Sequence, residues 1–267
     1  MPHALSYAVL SSRALISLSG EDWRDFLQGL ITQDVETLQP GELRFGGLLT
    51  PQGRLLFDLF VVGRDDGCWL DVEGEHRAAL TMRLTMYRLR AKVVIAADET
   101  PVAALFGQGA APPGWIVDPR LAGLGWRGYG AASGDAAVVD EAVYETHRLA
   151  LGVPGPADWG SEKTYPIEAN FDLLNGIDFH KGCFVGQETT SRMKRRGQIK
   201  NRMLPLTFEG APPAFDAELL LGDRRAGGML SGQDGRAMAL LRLDRIDGDL
   251  TADGKAVKVD RPKWLPL

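Results

Sequence analysis

The sequence predicts an α+β fold that ends in a small all-β unit, and three observations predict it. Apolar residues recur at helical spacing in two segments. Two extended apolar runs meet at a proline–glycine turn. From about Arg202 onward, short strand-like runs alternate with glycine- and aspartate-rich turns.

Arg13 to Ser17 reads as a short strand. It leads into Ser19-Gly20-Glu21-Asp22, where Ser19 is an N-cap candidate with Asp22 following in the first turn. Trp23, Phe26, Leu27, Leu30 and Ile31 then repeat at helical spacing. Arg44 to Thr50 and Arg54 to Val62 form a hairpin about Pro51-Gln52-Gly53, and Cys68 to Val72 adds a third strand. Glu75 to Arg90 is helical, with Leu80, Leu84 and Tyr87 on one side, and Lys92 to Ala96 returns as a strand. Residues 107–135 are rich in glycine, proline and alanine and read as loops at a boundary. Glu141 to Leu151 is helical and stops at Gly152-Val153-Pro154; Gly155 to Lys163 reads as loop. Met203 to Phe208, Glu218 to Leu221, Ala237 to Leu243 and Ala256 to Val259 are the strands of a C-terminal antiparallel barrel or sandwich. No internal repeat or low-complexity tract appears.

The 267 residues, 45% of them apolar, suffice for one large domain or two to three small ones. A net charge of -5 makes the chain a poor general binder of nucleic acid or anionic membrane. Two cysteines, Cys68 and Cys183, are too few for a disulfide framework, and a reducing cytoplasm is the expected location. Neither cysteine belongs to a CxxC or Cys/His pattern, so no metal centre held by this chain alone is expected. Met1 to Ser6 carries no signal-peptide pattern. Asp58 interrupts Leu55 to Val62, and no run approaches the roughly 18 apolar residues of a membrane helix.

The chemistry concentrates between Asn175 and Arg196. Cys183 follows Gly182, and Gly186 follows shortly after; glycines permit sharp turns and close approach to a ligand. Gln187 to Arg195 reads as a helix, which places the thiol near a helix N-terminus, and Lys181 is a nearby cation. Both features favour a thiolate. Such a cysteine is a nucleophile, a redox sensor or a transient metal ligand; the competing reading is a small buried apolar side chain.

Lys181-Gly182-Cys183-Phe184-Val185-Gly186-Gln187-Glu188 resembles K-G-C-[FY]-x-G-Q-E, the signature of the YgfZ family, which mitochondrial relatives of that family share. Pro166 to Asn170, Asn175-Gly176, Thr190, Arg192, the Gly197 loop, Phe26 to Val35 and Leu49 to Arg54 extend the resemblance over most of the chain. It implies a fold like that of the glycine cleavage T-protein: two α+β domains plus a C-terminal antiparallel β-barrel around a central channel. The implied division is 1–45 with 105–200, then 46–104, then 201–267. The implied role is assembly or repair of iron–sulfur clusters in client enzymes, with tetrahydrofolate in the channel and client or scaffold proteins as partners. Cys183, with Lys181, is the implied reactive centre. Asp58, Glu168, Asn170, Gly182, Gly186, Gln187, Glu188 and Arg192 are the implied folate contacts.

One departure bears on chemistry. Where T-proteins carry R-L-E-x-G, this chain has Arg148-Leu149-Ala150-Leu151-Gly152, so the pterin-holding carboxylate is missing and aminomethyl transfer is disfavoured. It remains the alternative function, and a pure adaptor role is a third. Asp58 is either a solvent-facing strand residue or a pocket carboxylate. Glu168 and Asn170 either cap a helix starting near Phe171 or line the pocket. Arg192, Lys194, Arg195, Arg196, Lys200 and Arg202 form a solvated helix end or a patch for folate's glutamate tail or an acidic client. His147 and His180 are isolated and read as structural, and the six tryptophans as packing residues.

Overall fold

The computed structural model describes residues 5–266 except 161, 198 and 234. The reading of residues 1–4, and the share of the basic cluster carried by the Arg196 side chain, lie outside the described residues. The chain runs β1 (Ser6–Val9), β2 (Arg13–Ser19), α1 (Trp23–Gln28), β3 (Leu43–Leu49), β4 (Leu55–Arg64), β5 (Gly67–Glu73), α2 (Arg77–Arg88), β6 (Val94–Asp98) and β7 (Val102–Phe106). It continues through β8 (Trp115–Val117), β9 (Trp126–Tyr129), β10 (Ala137–Val138), α3 (Glu141–Ala150) and α4 (Gln187–Arg196). The last six strands are β11 (Asn201–Phe208), β12 (Glu218–Leu221), β13 (Arg224–Gln233), β14 (Arg236–Arg242), β15 (Leu250–Ala252) and β16 (Lys255–Val259).

These strands form two open sheets and a barrel. The first sheet is antiparallel, in the order β3-β4-β5-β2-β6. The second has the order β10-β1-β7-β9-β8, with β1 and β10 parallel. The barrel, β11-β14-β13-β12-β15-β16, closes where β11 pairs with β16, and closure leaves no exposed sheet edge. Leu204, Leu206, Leu219, Met229, Ala239 and Leu241 belong to its buried core. Of the expected alternatives, barrel or sandwich, the structure takes the barrel.

Strand pairing groups the chain differently from the expected division at residues 45 and 105. Residues 13–98 share the first sheet, and the second gathers 6–9 with 102–138. The reason is local: β3 and β4 are hairpin partners, and consecutive strands joined by a tight turn pair with each other. Residues 107–135, expected to be loops, contain β8 and β9, strands of three and four residues too short to signal above their glycines.

β4 explains why the Leu55 to Val62 run is apolar at every position but Asp58. Phe57, Leu59 and Val61 pack with Leu27, Leu80 and Leu84, under α1 and α2. Phe60 and Val62 pack on the other side with Trp159 and Phe171. A strand covered on both faces loses its alternating pattern. Asp58, 3% exposed, points inward with Phe60, so its solvent-facing reading is corrected. At α1, Ser19 ends β2 and Asp22 occupies the N-cap position, its carboxylate accepting the Lys92 N–H at 2.7 Å. No helix starts near Phe171. Residues 166–175 form successive turns, with left-handed backbone at Asn170 (φ 62°) and Asn175 (φ 56°).

The two open sheets meet at a buried ion cluster. Asp71 on β5 is fully buried and accepts from Arg13 Nε at 2.7 Å, Arg127 Nη2 at 2.6 Å and the Tyr129 hydroxyl at 3.1 Å. Arg13 lies on β2 of the first sheet, and Arg127 and Tyr129 lie on β9 of the second. Burial opposes ionisation of Asp71, but Arg127 and Arg13 outweigh it and hold the carboxyl below the usual carboxylate range. Arg127 also stacks over Phe60, 4.0 Å from the ring centroid. Removing one partner from a buried charge group leaves the others uncompensated, at roughly 3–5 kcal/mol. Asp71→Ala is therefore expected to lower unfolding stability in urea by about that amount, whereas Glu99→Ala, at an exposed pair with Arg77, changes it by under ~0.5 kcal/mol.

Candidate functional site

Cys183 is exposed on the loop that enters α4, whose N-cap is Gly186. The buried-apolar reading therefore fails for this cysteine. It holds for Cys68, whose thiol burial pushes far above the ordinary cysteine range.

The loop is exposed above but anchored below. Lys181 was expected to be a cation beside the thiol. Its ammonium instead donates to the carbonyls of Gln28 at 2.8 Å, Ile31 at 2.7 Å and Gln33 at 2.7 Å. All three of its protons are thereby used within the protein. Burial lowers Lys181 to about 8, against the opposing pull of Asp34, Asp178 and Glu36. Asp178 Oδ1 accepts the N–H groups of His180 and Lys181 at 2.7 and 3.2 Å, which bends the chain just before the motif. Thr32 Oγ1 donates to the Gly176 carbonyl at 2.6 Å, and Gln33 Nε2 to that of Asn175 at 2.6 Å. The Phe26 to Val35 segment is thus the seat of the Asn175 to Gly186 loop.

A second contact sets the exit of the loop. Gly186 adopts φ +81°, and a Cβ there would lie 2.6 Å from the Thr50 carbonyl oxygen and 2.9 Å from the Gly53 Cα. The Pro51-Gln52-Gly53 turn therefore packs directly on the start of α4, which only glycine permits. Gly182 is different: a Cβ there meets nothing within 4 Å.

The remaining expected site residues fall in three places. Gln187 opens α4, its side-chain amide donating back to the Gly182 carbonyl of the loop at 3.4 Å, and Glu188 pairs with Arg192 at 3.6 Å on the exposed face of α4. Glu168 and Asn170 lie at the seam with the barrel. Glu168 Oε1 accepts from Asn201 at 3.2 Å, while Asn170, fully buried, donates to the Met203 carbonyl at 2.7 Å and accepts from Arg202 at 3.0 Å. Arg202, counted in the basic cluster, is buried there and doubly bonded to Asp172 at 2.9 Å. Asp58 lies in the central ion cluster, with Oδ2 3.3 Å from Arg13 Nη1. The residues that sequence reasoning missed are Arg13, Asp71, Arg127 and the carbonyls that accept from Lys181. A charged residue inside an apolar strand was the available signal for Asp71; backbone carbonyls carry none.

The central space beside Asp58 is small for a pterin. It holds about 40 Å³ and is lined by Arg13, Phe60, Glu73, Arg120, Arg127 and Arg148 among others. Burial pushes Glu73 there up to about 7, with Arg13 opposing and Asp58 adding to the shift. A cavity of this size takes a water molecule or so, whereas ligand sites span roughly 300–1,000 Å³. A pterin does not fit it as the side chains stand. None of residues 181–188 lines it, nor does Ala150, which is exposed at the end of α3. Among the described residues, no three His, Cys, Asp or Glu side chains are grouped to hold a metal ion.

Lys181→Met leaves three buried carbonyls without their donor, each costing roughly 1 kcal/mol or more. Its thermal midpoint is expected to fall well below that of the unchanged chain. Folding lowers the lysine from its ordinary value near 10.4 to about 8, so the unfolded chain binds more protons in that window and stability rises with pH across it. Melts between pH 8 and 10 should show this gain in the unchanged chain and its loss in Lys181→Met.

Comparison with known proteins agrees with this architecture. Residues 200–267 match the family described as CAF17, C-terminal beta-barrel domain. The glycine cleavage system aminomethyltransferase T of Bartonella henselae superposes with a TM-score of 0.78 at 18% identity, covering 99% of this chain and 87% of that one, which establishes a shared fold. The mitochondrial iron–sulfur cluster assembly factor IBA57 homolog of Mycosarcoma maydis is 34% identical over 77% of this chain. The chain spans 58% of that relative's length. The IBA57 homolog of Pyricularia oryzae is 31% identical over 93% of this chain and 74% of its own length. Both relatives carry mitochondrial in their names, which corrects the cytoplasmic expectation. Lack of a disulfide framework separates oxidising from reducing compartments but not one reducing compartment from another. The chain belongs to the IBA57 family of iron–sulfur cluster assembly factors.

Proposed function

We propose that this chain is an accessory factor in the assembly or repair of iron–sulfur clusters in client enzymes, acting through the thiol of Cys183 in the manner the YgfZ-type motif implies. The observation that carries the reading is the contrast within one loop. The thiol is exposed, while the residues on either side of it are locked by the Lys181–carbonyl bonds and by the contact of Gly186 with the Thr50–Gly53 turn. A thiol held this way can give up its proton to water and bind an iron atom through the thiolate sulfur without the loop reorganising. Among the described residues no group of three His, Cys, Asp or Glu side chains forms a site by itself, and on this reading a scaffold or client protein supplies the remaining ligands. The relatives' names, iron–sulfur cluster assembly factor, support the same role.

Folate-dependent aminomethyl transfer is the second reading. The fold shared with an aminomethyltransferase favours it. The 40 Å³ space and Ala150, where a carboxylate would be needed, oppose it.

Two outcomes follow. Cys183→Ser replaces an exposed group and should change stability by under ~0.5 kcal/mol, yet client iron–sulfur enzyme activity in cells carrying it should fall several-fold at unchanged protein level; normal client activity would leave an adaptor role. Titration with tetrahydrofolate followed by tryptophan fluorescence should give no saturable quench, and a saturable one would show that the ion cluster opens to admit the ligand.

A further inference from the structure

We propose that the outer face of α2 docks an acidic amphipathic helix of a partner protein. The inner face is accounted for: Leu80 and Leu84 are fully buried against the first sheet. The outer face carries Ala78, Ala79, Met82, Thr85, Met86 and then Leu89 just past the helix end, with no charged residue among them. Met82 is 64%, Met86 70% and Leu89 88% exposed. A surface helix ordinarily turns a polar face to water, and a helix apolar on both sides calls for cover on both sides.

The spacing suits a helix as occupant. Met82, Met86 and Leu89 follow the i, i+4, i+7 pattern of anchors in helix–helix recognition, along a stripe about 16 Å long from Ala78 to Leu89. Ala78 and Ala79 leave room for close approach at one end. At the other, Leu89 holds φ 44°, a conformation uncommon for a leucine, and lines an open hollow together with Val94, itself 61% exposed. Methionine's flexible thioether suits an adaptable contact surface.

Charge selects the occupant. Residues 77–92 contain Arg77, Arg83, Arg88, Arg90 and Lys92 and no carboxylate, on a chain of net charge -5. Arg77 pairs with Glu99, Lys92 with Glu21, and Arg88 donates to the Val93 carbonyl. Arg83 and Arg90 have no partner among the described residues and flank the apolar stripe. Two free guanidiniums beside three apolar anchors complement a helix bearing Glu or Asp around Leu, Ile or Met. A membrane is the poorer match, because no Trp, Phe or Tyr lies on the outward face.

The test is photo-cross-linking of the full chain in cells, with benzoylphenylalanine at Met86 and, as control, at the equally exposed Val138 on β10. An adduct specific to Met86 is expected, mapping by mass spectrometry to an acidic helical segment of another protein. Arg83→Glu with Arg90→Glu should lower its yield about tenfold, with far-UV circular dichroism unchanged. An adduct to lipid, to a second copy of this chain or to a non-acidic segment overturns the proposal. So does a yield at the Val138 level, or one indifferent to the charge reversal.

Discussion

The carboxylate of Asp71 joins two sheets into one body. It is fully buried, and its partners come from both sides: Arg13 from the first sheet, Arg127 and Tyr129 from the second. Desolvating such a carboxylate is costly, and only a geometry that supplies several charged donors offsets the cost. Around it the charges propagate outward. Arg127 lies 3.8 Å from Asp118, Asp118 binds Arg120 at 2.8 Å, and Arg148 binds Asp158, which in turn accepts from Ser231 in the barrel at 2.6 Å. One buried group thus ties the two sheets together, and a second, Arg148 with Asp158, reaches the barrel through Ser231.

The same cluster bears on function through the space it occupies. The frame is shared with an aminomethyltransferase, and the small space beside Asp58 is lined by the guanidinium groups of Arg13, Arg120, Arg127 and Arg148. A shared frame does not by itself carry a shared chemistry. What this chain offers its surroundings is on the outside: a thiol on a rigid loop, and an apolar helix face bordered by arginines.

Rigidity at Cys183 has a simple origin. A lysine turned inward toward three carbonyls, and a glycine pressed against a hairpin turn, fix the backbone on both flanks of the cysteine. Neither feature contributes chemistry to the thiol directly. Both remove conformations that would otherwise be lost on meeting a partner, so less entropy opposes docking.

The sequence by itself determined the local elements with strong periodicity or turn chemistry: the β3–β4 hairpin about Pro51-Gln52-Gly53, α2, α3 and the strand-rich C-terminal unit. Adjacent residues set these, so adjacent residues reveal them. It also singled out the Cys183 loop through its glycine spacing and family resemblance. Only the tertiary structure decided which strands share a sheet, that Asp58 faces inward, and that Asn170 and Glu168 serve the barrel seam. The same holds for Lys181, a cation in the sequence but a buried clamp in the fold. Its partners are backbone carbonyls about 150 residues away in the chain, and a carbonyl looks the same at every position until folding aims it.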